Sequence, residues 1–315
     1  MKFLIVIWFF IPCVLLSQAI PSESENIESL ITFGKDAPSA WGDDDNVQVF
    51  FALIPESFKE SFYIRVFDPN VGGFLDANND GIFDSKTRFS IYGGDECYSH
   101  QDARKTDPVG EFKSGVLLDS KEFADEKKYD MRWYNFGPFN PLDGEYDQNM
   151  NGYVFKIIAE GFEGNDGNLY SYFISTSDVA NKAINGANAF TYEYTFRLKS
   201  KGNVAHIYPF IDEDVIAIKQ YNFDLDEDGA LKLFSIAKNG HNGKVSGNDV
   251  WNFSSHDILE SEKLKCIDLQ LHRNDSNKND LSIYVLNQYN EAVRFFSSPL
   301  GSHKYIYQFS VIPKE

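Results

Sequence analysis

Three stretches carry oxygen side chains at alternate positions, closed by a glycine. They are Asp76-Ala77-Asn78-Asn79-Asp80-Gly81, Asp147-Gln148-Asn149-Met150-Asn151-Gly152 and Asp224-Leu225-Asp226-Glu227-Asp228-Gly229. This spacing suits a hard divalent cation. Ca²⁺ takes roughly six to eight oxygen ligands, and a tight loop turns alternate side chains toward one centre. Glycine at the sixth position allows the sharp turn that brings in the next backbone carbonyl. An apolar residue at the eighth position (Phe83, Val154 or Leu231) anchors each loop to a core. None of the three is a complete EF-hand loop, because the twelfth position holds Thr87, Ile158 or Ser235 where a glutamate belongs. The shell must then be completed from elsewhere, and Asp84 is a candidate. The expected ligands are Asp76, Asn78, Asp80 and Asp84; Asp147, Asn149 and Asn151; and Asp224, Asp226 and Asp228. The competing reading is a hairpin turn, for which Asp, Asn and Gly are favoured anyway. Two further stretches fit the metal pattern less well. Asp275-Ser276-Asn277-Lys278-Asn279-Asp280 has Asp where Gly belongs and reads as a turn. Trp41-Gly42-Asp43-Asp44-Asp45-Asn46 lacks the spacing and reads as a solvated turn unless the fold brings a loop to it. Extracellular sites bind Ca²⁺ at roughly 10⁻⁴ to 10⁻³ M. Tenfold excess over such a constant stabilises a fold by about 1.4 kcal/mol per site. The expected cofactor is therefore a structural Ca²⁺, a staple and not a catalyst.

Signals for catalysis are missing from the sequence. There is no G-x-S-x-G elbow, no H-E-x-x-H, no phosphate loop and no cysteine pair at zinc spacing. Asn239-Gly240-His241-Asn242-Gly243-Lys244 is followed by Val245 where a phosphate loop needs Ser or Thr, so it reads as a turn. The six histidines (100, 206, 241, 256, 272 and 303) include no pair at i, i+2 or i, i+4. With 47 acidic residues, some carboxylate pair at glycosidase separation is inevitable and means little. Trp133, Tyr134 and Trp251 could form a sugar platform, although strand-core packing is the commoner fate of such rings. The 29 basic residues leave a net charge of −18. That argues against nucleic acid, whose phosphates require Lys and Arg.

The elements that must position these loops are strands. Aromatic and β-branched runs between Gly, Asn and Asp clusters occur at 47–54, 62–67, 88–92, 115–118, 153–159, 169–175 and 190–198. After a short linker at 199–203, a second series follows at 206–211, 216–223, 231–237, 266–272, 281–286, 292–296 and 305–312. Residues 120–128 and 256–265 could each form a short helix. No βαβ alternation appears. The expected fold is all-β: two tandem antiparallel β-sandwich domains, jelly-roll or Ig-like, after a signal peptide. The large domain spans 31–199 and the smaller 205–315. Residues 20–30 are expected to be flexible. The signal is Lys2, the apolar run 3–16 and Ser17-Gln18-Ala19, with cleavage after Ala19. Pro12 in front of Cys13 argues against lipidation. No other segment is apolar enough to span a bilayer. Cys97 and Cys266 remain after cleavage, either bridged or as two buried thiols.

Four segments carry a resemblance: Trp41–Asn46, Ile64-Arg65-Val66-Phe67-Asp68-Pro69 with Gly72-Gly73, Arg88-Phe89-Ser90-Ile91-Tyr92-Gly93-Gly94, and Asn188-Ala189-Phe190-Thr191-Tyr192-Glu193-Tyr194. Here the chain resembles the uncharacterised N-terminal β-rich region of exported OmpA-family outer-membrane proteins of Gram-negative bacteria. These motifs look structural, with no active site to carry over. Those proteins have a peptidoglycan-binding C-terminal domain, which is not expected within residues 1–315, so anchoring by that domain is not implied. The resemblance implies a periplasmic, outer-membrane-associated or extracellular location. The expected function is non-catalytic binding or scaffolding, with a protein or glycan of the cell envelope as partner. Two rivals stand beside it: a carbohydrate-binding module with a line of exposed aromatics on one sheet face, and a hydrolase with paired, pKa-shifted acids in a deep cleft.

Overall fold

The computed structural model describes residues 18–78, 80–274 and 279–305. The apolar run 3–16, nearly all of the strand expected at 305–312, and Asp275-Ser276-Asn277-Lys278 lie outside the described residues. In chain order the strands are β1 (Ala19–Ile20), β2 (Ser29–Phe33), β3 (Val47–Pro55), β4 (Phe62–Phe67), β5 (Lys86–Gly93), β6 (Val116–Phe123), β7 (Trp133–Phe139), β8 (Glu145–Asp147), β9 (Gly152–Glu163), β10 (Gly167–Ser175), β11 (Asn188–Thr191), β12 (Glu193–Arg197), β13 (Val204–Ile211), β14 (Ala217–Phe223), β15 (Ala230–Phe234), β16 (Asn239–Gly243), β17 (Trp251–Asp257), β18 (Lys265–Cys266), β19 (Asp268–His272), β20 (Asp280–Asn287) and β21 (Phe295–Phe296). The fold is all-β and antiparallel, in two sheets consistent with tandem β-sandwiches.

The first sheet runs β17-β14-β20-β12-β2-β10-β4-β7, with β1 also on β10. The second runs β16-β15-β19-β13-β21-β11-β3-β9-β5-β6, with β18 on β13 and β8 on β9. Each sheet takes strands from both halves of the chain, so the sandwiches are fused edge to edge. One core lies between the sheets, from Phe50, Phe155 and Tyr172 in the first half to Ile207, Leu269 and Ile283 in the second. A second cluster covers the outer face of the larger sheet, around Phe51, Tyr98, Ile158 and Phe190. This explains the unbroken apolar run at 153–159. In β9, Phe155 and Ile157 face the core while Val154 and Ile158 face the outer cluster, so both faces are covered.

The joint is one segment. Residues 190–198, expected as a single strand, break at Tyr192. β11 joins the larger sheet between β3 and β21, with Phe190 opposite Phe51 and Phe296. β12 joins the other sheet between β2 and β20, with Phe196 opposite Leu30 and Leu281. The alternating aromatics show why. By changing sheets, the segment buries Phe190 and Tyr192 in the outer cluster and Tyr194 and Phe196 in the core.

Other expectations are corrected. Residues 120–128 are the end of β6 and a turn, and residues 256–265 hold only the three-residue 3₁₀ turn Glu260–Glu262. Sequence reading missed β1, β2, β7, β8, β16 and β17. Residues 20–30, expected to be flexible, are packed. Ile20, Ile27 and Leu30 are buried, and the backbone at Ser24 and Glu25 bonds Tyr208 Oη and the His206 amide, each at 2.8 Å. Gln18 is buried as well: its Oε1 accepts the Ile184 amide at 2.5 Å, and its carbonyl accepts the Ile174 amide at 3.0 Å. Cys97 and Cys266 are free and buried. Burial pushes both thiols up to about 12.

Two outcomes check this architecture. Phe89, buried against Phe123, Tyr170 and Tyr172, should cost about 3–5 kcal/mol as Phe89→Ala in chemical denaturation. A fragment ending at residue 203 removes β20 and β21 and bares the edges of β12 and β11. It should give no cooperative melt, and a sharp one would refute the fused core.

Candidate functional site

The acidic turns are not used alike. In the first, Asp76 is buried and locks the loop onto β10, accepting the Leu169 and Gly72 amides at 2.7 Å each. Burial holds its carboxyl well above the usual range. Asp80 accepts the Ile82 amide at 3.0 Å, at the exposed tip. Asp84 sits against the 164–166 turn, its amide donating to Asp166 Oδ2 at 2.8 Å. Asp76, Asp80 and Asp84 are thus engaged in three different places and do not form one shell. In the second turn, Asp147 accepts the Met150 amide at 2.9 Å. The left-handed residue there is Asn151 (φ 51°), not Gly152, so the sixth-position glycine starts β9 instead of closing a loop. In the third turn, Asp228 pairs with Arg273 at 3.4 Å and accepts the Asn274 amide at 3.0 Å. Gly229 is required there: φ is 81°, and a Cβ would lie 1.7 Å from the His272 carbonyl oxygen.

The remaining ligands do converge. Asn78, Asp224 and Asp226 line one cavity of 390 Å³ together with Trp41, Asn279 and Asp280. Parts of four stretches that looked independent in the sequence meet here. Asp224 Oδ1 accepts the Asp249 amide at 2.8 Å, and Asp226 Oδ2 accepts Asn279 Nδ2 at 3.2 Å. Asp280 is held by Arg197 through two bonds of 2.7 Å. Asn279 is buried, and its Oδ1 has no hydrogen-bond partner among the described residues. Burial, then the charges of Asp226, Asp249 and Asp280, push Asp224 up to about 7. The cavity thus gathers oxygen donors, an orphaned amide oxygen and surplus negative charge. Among the described residues no three His, Cys, Asp or Glu side chains stand close enough to coordinate a metal. A cation there would draw on amide and backbone oxygens and on closure of the loops.

The 41–46 turn is not solvated as expected. Asp43 is buried and accepts the Asp45 and Asn46 amides at 3.1 and 3.0 Å. Trp251 Nε1 donates to Asp44 at 2.8 Å. Burial pushes Asp43 up to about 6, and it holds Asp45 and Glu193 well above the usual range. These shifted acids do not lie in a deep cleft: the cavity beside Glu193 holds about 10 Å³, room for about one water. The neighbouring aromatic row is a cross-strand ladder. Tyr221 is stacked between Phe253 (5.3 Å) and Tyr284 (4.6 Å), and Trp251 packs on Phe223 and Tyr284. Trp133 packs on Phe67 under Arg65.

A large open feature escaped sequence reading. A groove of 740 Å³ runs past Tyr192, where the chain changes sheets. It is walled by residues 98–99, 101 and 104–106, by Asp147 and Asn149 of the second turn, by residues 212 and 214–215, and by the β20–β21 hairpin. At its wall Arg294 lies over the Phe210 and Phe296 rings and donates to Asp212 at 2.8 Å. Tyr98 meets Tyr192 oxygen to oxygen at 3.3 Å. These residues are scattered from 98 to 294, so no local motif could reveal them.

No family model matches the chain, and no curated protein is significantly similar to it.

Several buried carboxyls have raised values: Glu25 about 8, Asp224 about 7, Asp43 and Asp68 about 6. Such a group binds its proton more tightly in the fold than in the unfolded chain, so its stabilisation fades as pH rises through the folded value. In EDTA, the melting midpoint should climb as pH falls from 8 to 5. A midpoint that drops over that window would contradict these assignments.

Proposed function

We propose that this chain is a non-catalytic binding protein of an exported compartment, held together by Ca²⁺ and binding its partner in the Tyr192 groove. The compartment is the cell envelope or the secreted fraction. The groove carries the reading. At 740 Å³ it is larger than the 390 Å³ cavity, no histidine or cysteine lines it, and the carboxyls with raised values named above lie elsewhere. For Ca²⁺, the support is the cavity shared by Asn78, Asp224, Asp226 and Asn279. A divalent ion there would satisfy the Asn279 oxygen and offset both the burial of Asp224 and the repulsion from Asp226, Asp249 and Asp280 that add to raise it. Export favours this reading, because weak extracellular-type sites fill only where free Ca²⁺ approaches roughly 10⁻⁴ to 10⁻³ M.

Thermal melts in EDTA and in millimolar Ca²⁺ test the staple. The expected gain is about 1.4 kcal/mol at tenfold excess. Asp226→Asn should abolish most of it while tolerating the left-handed backbone at that position (φ 54°). Asp147→Asn, in a turn that the cavity does not include, should leave it intact. Equal midpoints in EDTA and Ca²⁺ would refute the role of the ion.

A further inference from the structure

The charge pattern and free ring faces of the Tyr192 groove together indicate a ligand class, and we infer that the groove takes a short, neutral saccharide chain. This rests on the binding-protein reading above and adds the chemistry of the ligand.

Charge comes first. The groove sets Arg104, Lys105 and Arg294 against Asp147, Asp212, Asp214 and Glu291. In a chain of net charge −18, this wall is nearly balanced. An anionic ligand would face four carboxylates, and a cationic one would face three fixed cations. A ligand whose groups each donate and accept can use both signs at once, and the hydroxyl is that group. An apolar ligand would leave these charges desolvated and unpaired, which is costly.

Arg294 shows the capacity that remains. Its Nη2 is engaged by Asp212, but among the described residues its Nη1 reaches only Tyr98 Oη at 3.4 Å and Met150 Sδ at 3.7 Å. Both contacts are long for a charged donor, whose bonds run about 2.7–2.9 Å. The Phe210 and Phe296 rings, beneath the guanidinium at 5.4 and 5.8 Å, restrict it, so a ligand oxygen meets a preorganised donor.

Ring faces decide between the two aromatic surfaces. A sugar presents an apolar C–H face that packs on the face of an aromatic ring. On the sheet ladder, Tyr221 has both faces covered by Phe253 and Tyr284. Tyr289, on the hairpin at the groove's rim, is 64% exposed. Tyr289 takes part in no ring pair among the described residues, so a sugar can stack there. The groove's 740 Å³ falls within the range of small-ligand sites, about 300–1,000 Å³.

The test uses the full chain on an array of short neutral oligosaccharides (glucans, mannans, xylans and N-acetylated chains) printed beside uronate-bearing and sulfated ones. Calorimetry of the best hit then compares wild type, Tyr289→Ala and Phe253→Ala, with melts to verify folding. Neutral chains should bind, Tyr289→Ala should weaken them at least about tenfold, and Phe253→Ala should change nothing. Retention of charged glycans alone would overturn the neutral class while leaving the binding reading standing. Absence of any glycan hit would overturn the saccharide inference. In that case, capture of an envelope protein that Tyr289→Ala releases would still support the groove as a binding site. Loss of sugar binding in Phe253→Ala but not in Tyr289→Ala would move the site to the ladder.

Discussion

Everything in this fold turns on the passage of one short segment from sheet to sheet. Between Asn188 and Arg197 the chain gives a strand to the larger sheet, turns at Tyr192, and gives a strand to the smaller one. Each piece has a first-half strand on one side and a second-half strand on the other. Without it the two halves would be separate sandwiches, each with bare edges that invite aberrant pairing. With it, they share two sheets and one core, and the turn at Tyr192 lies beside the 740 Å³ groove.

The acidic composition has a role inside as well as on the surface. Asp68, Asp76 and Asp166 are buried and accept loop amides: Met131 for Asp68, Gly72 and Leu169 for Asp76, Asp84 and Ser85 for Asp166. Each gives orphaned N–H groups the acceptor they need away from water. This is how a protein of long, irregular connections and scarcely any helix fixes its loops. The cost is electrostatic: burial raises Asp68 and Asp76, and the charge of Asp68 adds to the effect on Asp76.

Strands with aromatic and β-branched runs were legible from sequence, and 62–67 matches β4 to the residue. Two of the strands that went unseen have polar or broken patterns. β16 is Asn239–Gly243, with two glycines, and β17 alternates Trp, Asn, Phe, Ser, Ser, His and Asp. Their place is set by neighbours and not by their own propensity. The break at Tyr192 was invisible because period-2 alternation continues through it, and alternation reports which face is buried, not which sheet supplies the partner. The site was legible in part. Asp224 and Asp226 meet Asn78 because the fold brings the turns together, whereas the spacing alone grouped Asp80, Asp84 and Asp228 with them. The groove was illegible, since its wall comes from four distant loops.

The shared segment also dictates an order of assembly. The chain is made from its N-terminus, so β2 and β3 exist long before β11 and β12, their partners across the midline. Those partners in turn have an open side until β20 and β21 arrive near the end. Contacts this distant in sequence carry a large closure entropy and form late. Neither sheet can complete its pairing until β20 and β21, close to the end of the chain, have been made.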